Sequence, residues 1–299
     1  MWLPDLIVRS RPSERHFTLR ASQKRDAGDA LMKEYCCAAL NYAHGLGVQA
    51  VEVSIHDARP AAYLSWQTHG FELIESPSAV TDWDNPEQIQ TLHYPEIRRL
   101  AERLSGADHV LVSGHICRNP QQAALHADYA PIEYVHSDFA QDYALRLADW
   151  YEQGAPETQL ALKTAGLEAS AIRSARRVLI LQFWRNVGHL QPDLPLAFAD
   201  ATSVPAMDVH TIHVPSYAGG DFAFDTLAVS PAPGGKQHRW YTYPGLQVRE
   251  VVAFRTYDSL MAMRGEAFWT PHTAFCDPHA APDAPPRRSI EVRAICLFA

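Results

Sequence analysis

Residues 209–257 carry four short runs suited to strands: Val209–Val214 (VHTIHV), Phe222–Val229 (FAFDTLAV), Trp240–Tyr243 (WYTY) and Glu250–Tyr257 (EVVAFRTY). They are rich in β-branched and aromatic residues, and turn signals separate them, Gly219-Gly220 and the PAPGG of Pro231–Gly235. Upstream, Val178–Trp184 (VLILQFW) is a continuous apolar run, which predicts a strand buried on both faces. Pro192 and Pro195 punctuate the chain after it, and Leu196–Ala199 reads as the next strand. Downstream, the proline-rich segment 277–286 (DPHAAPDAPP) is a loop, and Ser289–Leu297 (SIEVRAICL) alternates as a closing strand. Many short strands at close spacing predict a β-barrel or jelly roll.

Before this stretch the pattern is mixed. Residues 22–46 show a helical apolar period, Val48–Ile55 (VQAVEVSI) alternates like a strand, and Gln88–Ser105 contains a helix with Tyr94, Ile97, Leu100 and Leu104 on one stripe. His109–Ser113 (HVLVS) and Glu133–Asp138 (EYVHSD) read as strands, while Gln141–Gln153 and 156–175 read as helices. The expected organisation is one domain over residues 1–299. Residues 1–125 form a mixed part packed on the barrel by N-terminal helices, and residues 126–299 form a barrel core with a helical insert.

Composition narrows the function. The chain has 299 residues, 47% hydrophobic, which is ample for a sizeable core. A net charge of -8 argues against a nucleic-acid partner, which would need a basic face. Five cysteines without a CxxC pair predict reduced thiols in a cytoplasmic protein. The N-terminus MWLPDLIVRSRPSERH lacks the apolar centre of a signal peptide, and no apolar run reaches the length of a membrane span. Nothing in the sequence fixes the oligomeric state.

Chemistry concentrates at His136-Ser137-Asp138. On a strand, residues i and i+2 share a face, so the imidazole and the carboxylate can grip one metal ion. HxD recurs by chance, so a third ligand must complete the set. His272, in TPHTAFCDP ahead of the closing strand, is the candidate. Two histidines and one carboxylate, with three positions left open, make the facial triad of non-haem Fe(II) oxygenases. Fifteen residues after His272 stands Arg287, whose guanidinium can hold a carboxylate through two hydrogen bonds. A 2-oxoglutarate co-substrate needs such a fork for its far carboxylate. Ser289 lies two residues on, and Glu291 and Arg293 continue the same strand face. Arg287-Arg288 can equally be a solvated pair, and Glu291 with Arg293 an ion pair that only supports the fold. A second cluster, His238-Arg239-Trp240-Tyr241, and Trp184-Arg185 at the end of the buried strand are candidates to line a substrate pocket. His238 is the expected inward-facing residue, although it can instead cap a turn. His56 and Asp57 are adjacent, face opposite sides of a strand and are read as structural. No GxGxxG after a strand, no GxxxxGK[ST] and no GxSxG is present.

Six blocks then resemble a hydroxylase/desaturase family of bacteria and fungi that includes fungal gibberellin desaturase and a cephamycin methoxylase accessory protein. They are VHSDF, FWRNVGHLQPDLPLAFAD, HRWYTYP, YDS (257–259), HTAFCDP and PRRSIEVR, with HDAR (56–59), HGF (69–71) and YPE (94–96) extending the match. The resemblance implies a double-stranded β-helix, jelly-roll or cupin-like, using Fe(II) and 2-oxoglutarate, commonly in secondary metabolism. It implies iron on His136, Asp138 and His272, and 2-oxoglutarate on Arg287 and Ser289, with Arg293 as the alternative clamp. FWRN replaces the family's NVWRP, and His189 falls in the loop that follows, so the departures concern the substrate pocket. The expected reaction couples oxidative decarboxylation of 2-oxoglutarate by O₂ to hydroxylation, desaturation or cyclisation of a small, amino-acid-derived substrate. The other readings are a metal enzyme on the same barrel that does not use 2-oxoglutarate, and a non-catalytic accessory or binding subunit.

Overall fold

In the computed structural model, which describes residues 33–45, 47–217, 223–234 and 237–299, the strands form two sheets. The eight-stranded sheet comprises β1 (Glu34–His44), β2 (Gly47–Asp57), β5 (His136–Ser137), β7 (Leu196–Ala199), β8 (Val209–Val214), β9 (Phe224–Val229), β10 (Trp240–Thr242) and β12 (His272–Ala274). Its order is β1-β2-β10-β7-β12-β5-β9-β8. The five-stranded sheet runs β3 (Phe71–Glu75), β11 (Glu250–Asp258), β6 (Arg177–Asn186), β13 (Ser289–Phe298) and β4 (His109–Arg118). The sheets face each other, as Phe198 of one packing on Phe254 of the other shows, and the chain is a double-stranded β-helix.

The continuous apolar run of β6 has its reason in this arrangement. Leu179, Leu181 and Phe183 face outward with Val292, Ala294 and Cys296 of β13, under Ile97, Leu100 and Ala101 of the helix Tyr94–Ser105. Trp184, of opposite parity, points between the sheets with Val252, Phe254 and Phe198. β13 is paired on both edges, to β6 and β4, so its alternate residues Ser289, Glu291 and Arg293 project inward over the whole depth of the barrel.

The N-terminal third departs from the helical expectation. Glu34–His44 is a strand whose Cys36, Ala38, Leu40 and Tyr42 alternate as buried residues, and it pairs with β2 from Glu34↔His56 to His44↔Gly47. Period-2 burial won over the alanine-rich composition because the hairpin extends the edge of the large sheet. Most of the rest of the expected helix, residues 22–32, lies outside the described residues, as do Gly219, Gly220, Phe222 and Gly235 of the expected turns and strand. The helical expectations at 88–105, 141–153 and 156–175 correspond to Tyr94–Ser105 with a π-helical turn before it, Tyr143–Gln153, Pro156–Ala165 and Ser170–Ser174. A one-and-a-half-turn helix, Ser259–Arg264, follows β11, capped by Asp258. Among the described residues no helix is long and apolar enough to cross a membrane.

Candidate metal centre

His136 and His272 stand directly opposite each other on neighbouring antiparallel strands, β5 and β12. Their side chains therefore leave the sheet on the same face, with ring centroids 4.4 Å apart. Asp138, two residues past His136, returns to that face: its Oδ1 lies 3.6 Å from His136 Nε2 and 3.7 Å from His272 Nε2. One ligand atom from each of the three residues lies within 4.8 Å of the others.

The orientation of the rings is set from behind. His136 Nδ1 is 2.7 Å from the Tyr134 carbonyl oxygen, and His272 Nδ1 is 3.0 Å from that of Thr270. A carbonyl can only accept, so each Nδ1 carries the proton and each Nε2 turns a lone pair toward Asp138. Burial, reinforced by His272, pushes the pKa of His136 down to about 3, which keeps its imidazole neutral. Burial works against ionised Asp138, but His272, Arg293, His136 and Arg118 more than offset it and hold the carboxyl below its ordinary range. Asp138 Oδ2 is buried without a hydrogen-bond partner among the described residues. A carboxylate left short of donors beside two inward lone pairs is a donor set in need of a cation, and two nitrogens with one oxygen suit Fe(II).

The backbone around the triad is held by a short network. Thr270 donates its N–H to Ser137 Oγ at 3.2 Å and its hydroxyl to the Arg255 carbonyl at 2.6 Å, while its own carbonyl receives the His272 proton. Gly70 makes this possible. Its φ is +96°, and a Cβ there would lie 2.3 Å from Thr270 Oγ1.

Further along the inward face of β13 the charges are arranged in steps. Arg287 is 3% exposed; NH1 donates to the Leu194 carbonyl at 3.0 Å, and its guanidinium lies over the Trp184 ring at 5.7 Å. Its Nε has no hydrogen-bond partner among the described residues, and burial together with nearby Arg118 lowers its pKa to about 9. An under-paired buried guanidinium fits an anionic ligand. Ser289 is buried two residues on. Glu291 pairs with Arg118 at 3.1 Å rather than with Arg293, and Arg118 also caps the Asp128 and Ala130 carbonyls. Arg293 donates Nε to Gln182 at 3.1 Å, lies over Phe139 and brings NH2 to 3.8 Å from Asp138 Oδ2.

Three expected pocket residues lie elsewhere. Arg185 has the outward parity of β6, donates to the Val248 and Ser76 carbonyls and stacks on Trp83. His238 is buried with both ring nitrogens engaged, Nε2 with Asp208 at 3.0 Å and Nδ1 with the Tyr42 hydroxyl at 3.3 Å. Arg239 forms an ion pair with Asp200 and a bond to Thr202. Trp184 does face inward, but beside Arg287. Sequence reasoning missed Arg118, Gln182, Phe139 and Thr270, all of which join the site through partners distant in the chain.

Comparison with known proteins agrees with this geometry. The alpha-ketoglutarate-dependent dioxygenase phiK of Fungal sp. is 29% identical over 236 residues, 77% of this chain and 78% of that protein. The Fe(II)/2-oxoglutarate-dependent dioxygenase nvfI of Aspergillus novofumigatus is 27% identical over 82% of each chain. The hydroxylase/desaturase CTB9 of Cercospora beticola is 27% identical over 77% of this chain and 71% of its own length. The solved structure of the iron and alpha-ketoglutarate-dependent endoperoxidase NvfI superposes with a TM-score of 0.69 at 22% identity, covering 89% of this chain and 99% of that one. A family described as Oxidoreductase/YMDC permease-like domain (YDMC) matches residues 23–297, and the chain belongs to that family.

Proposed function

We propose that this protein is a mononuclear Fe(II)- and 2-oxoglutarate-dependent oxygenase of small-molecule metabolism, with iron held by His136, Asp138 and His272. The observation that carries the reading is the pair of imidazoles in register on β5 and β12. Each is tied back through Nδ1, and both turn Nε2 onto a carboxylate that lacks donors. When bound, iron and the ketoacid together use O₂ to oxidise an unactivated C–H while the ketoacid is converted to succinate and CO₂.

The chain's own residues do the rest. The Tyr134 and Thr270 carbonyls fix the ring planes, so the ligands are preorganised before any metal arrives. Arg287 is the co-substrate clamp: it offers Nε and its outer edge to the far carboxylate, with Ser289 two residues on along the same face. Trp184 lies against the Arg287 guanidinium and would hold it in place. Phe198 and Phe254 pack beside His272 between the sheets and would shield that side of the metal.

The relatives include a hydroxylase/desaturase and an endoperoxidase, and the same iron site serves either outcome. His238, Arg185 and Arg239 are engaged by partners within the fold, so the substrate anchor is sought elsewhere. The five free cysteines fit a reducing cytoplasm, and residues 1–299 are taken as one oxygenase unit. The test is succinate formation from 2-oxoglutarate by purified protein. It should require Fe(II) and O₂ and vanish in His272→Ala. Turnover of a substrate without ketoacid consumption would favour a different metal enzyme on this barrel.

A further inference from the structure

We infer that Arg293 is the anchor for a carboxylate on the primary substrate, and so determines which molecules the enzyme oxidises. This rests on the oxygenase reading and adds the substrate class to it.

Arg293 faces the barrel interior and touches the edge of the metal site, with NH2 3.8 Å from Asp138 Oδ2. Its neighbours on that strand face, Ser289 and Glu291, are buried, yet 39% of the Arg293 side chain is open to solvent. The solvent-open part of this face therefore lies beside the triad. The guanidinium is already posed. Gln182, itself buried, takes Nε at 3.1 Å, and Phe139 covers one face at 5.2 Å. Among the described residues no acceptor takes its remaining N–H groups. Of the nearest carboxylates, Glu291 is paired with Arg118 at 3.1 Å, and Asp138, a candidate metal ligand, stands 3.8 Å away, beyond hydrogen-bond distance. A fixed, partly desolvated guanidinium with a free edge is a fork for a planar carboxylate.

The co-substrate is not the anion it awaits. A ketoacid that chelates the metal through its 1-carboxylate and 2-keto oxygen carries its far carboxylate three carbons away. Arg293 already reaches the triad's own carboxylate, 3.8 Å from Asp138 Oδ2, so a far carboxylate seated on Arg287 leaves the Arg293 edge for a second anion. Ser289, beside Arg287, lies four strand residues from Arg293, roughly 13 Å. One strand face thus carries a receptor for the co-substrate at one end and a receptor for the substrate at the other. Phe139 stacks on Tyr143 at 3.7 Å, so aromatic surface borders the anchor.

The experiment uses protein loaded anaerobically with Fe(II) and 2-oxoglutarate, and follows the visible charge-transfer band. Matched probes are titrated: benzoate against benzamide, and 3-phenylpropanoate against 3-phenylpropanamide. The acids should perturb the band at concentrations at least about tenfold lower than the amides, as expected for charge-assisted bonds. Arg293→Met should abolish that preference and Arg293→Lys should recover part of it, each compared at saturating Fe(II) and 2-oxoglutarate. The inference fails if the acids bind no better than the amides, or if neither binds, or if the preference survives in Arg293→Met. It also fails if Arg293→Met loses the ketoacid as Arg287→Met does, since Arg293 would then be the co-substrate clamp. A wild type that forms no band at all overturns the oxygenase reading itself, a result distinct from these.

Discussion

Replacing Arg287 separates its part in binding from its part in the fold. The guanidinium is buried, and among the described residues NH1 alone has a hydrogen-bond acceptor, the Leu194 carbonyl at 3.0 Å. A carboxylate held by two charge-assisted bonds gains about 1.5–3 kcal/mol from each, so Arg287→Met should lose about 3–6 kcal/mol of ketoacid binding, a factor of roughly 10² to 10⁴. Arg287→Lys keeps the charge but cannot form the fork, and should lose about 10- to 100-fold. Stability should move little, or rise. An under-paired charge next to Arg118 is removed, against the loss of one bond to the Leu194 carbonyl. The assays are the 2-oxoglutarate dependence of succinate formation and the melting temperature of the ligand-free protein. Wild-type ketoacid affinity in Arg287→Met would refute the clamp. A large drop in melting temperature with unchanged affinity would show that Arg287 serves only the fold.

Other outcomes follow from the same geometry. Gly70→Ala forces a left-handed backbone and drives Cβ into Thr270, whose carbonyl orients His272; it should cost about 1–3 kcal/mol from strain alone and weaken iron binding, checked by urea unfolding and metal titration. Ser137→Ala leaves the buried Thr270 N–H without its acceptor and should destabilise by about 1–3 kcal/mol in the same unfolding assay. His93 is buried against Trp83 beside Glu96, and burial, aided by Arg185, lowers its pKa to about 4. The unfolded chain, titrating near 6.5, takes the proton first, so this contribution to stability is complete above about pH 6.5 and lost as pH falls toward 4, by up to about 1.4 kcal/mol per pH unit. His93→Gln should flatten the urea midpoint over that window, and an unchanged slope would contradict it.

How far the sequence led depended on the range of the interactions. The period-2 spacing of His136 and Asp138 and the strand runs of β6, β11 and β13 are local, and the residues alone carry them. Which face of a strand points inward is not local. Trp184 and Arg185 are adjacent, and only pairing with β11 and β13 turns the tryptophan in and the arginine out. His238 resembled a pocket residue because its partner Asp208 stands 30 residues away, and Arg118 went unnoticed because Glu291 is 173 residues distant. The strand Glu34–His44 was hidden by its alanines and cysteines, although its alternating burial is plain once β2 pairs with it. Gly70 was visible within HGF, but its reason, contact with Thr270, exists only in the fold.

The central claim is that His136, Asp138 and His272 together hold one iron that the ketoacid then chelates. The most direct measurement is an anaerobic titration of the protein with Fe(II) in the presence of 2-oxoglutarate, read by the visible charge-transfer band. The account predicts a band that saturates at one equivalent of iron and is absent in His136→Ala, Asp138→Ala and His272→Ala, each still folded by circular dichroism. A wild type without the band, or a band of full intensity in any of the three folded variants, would contradict it.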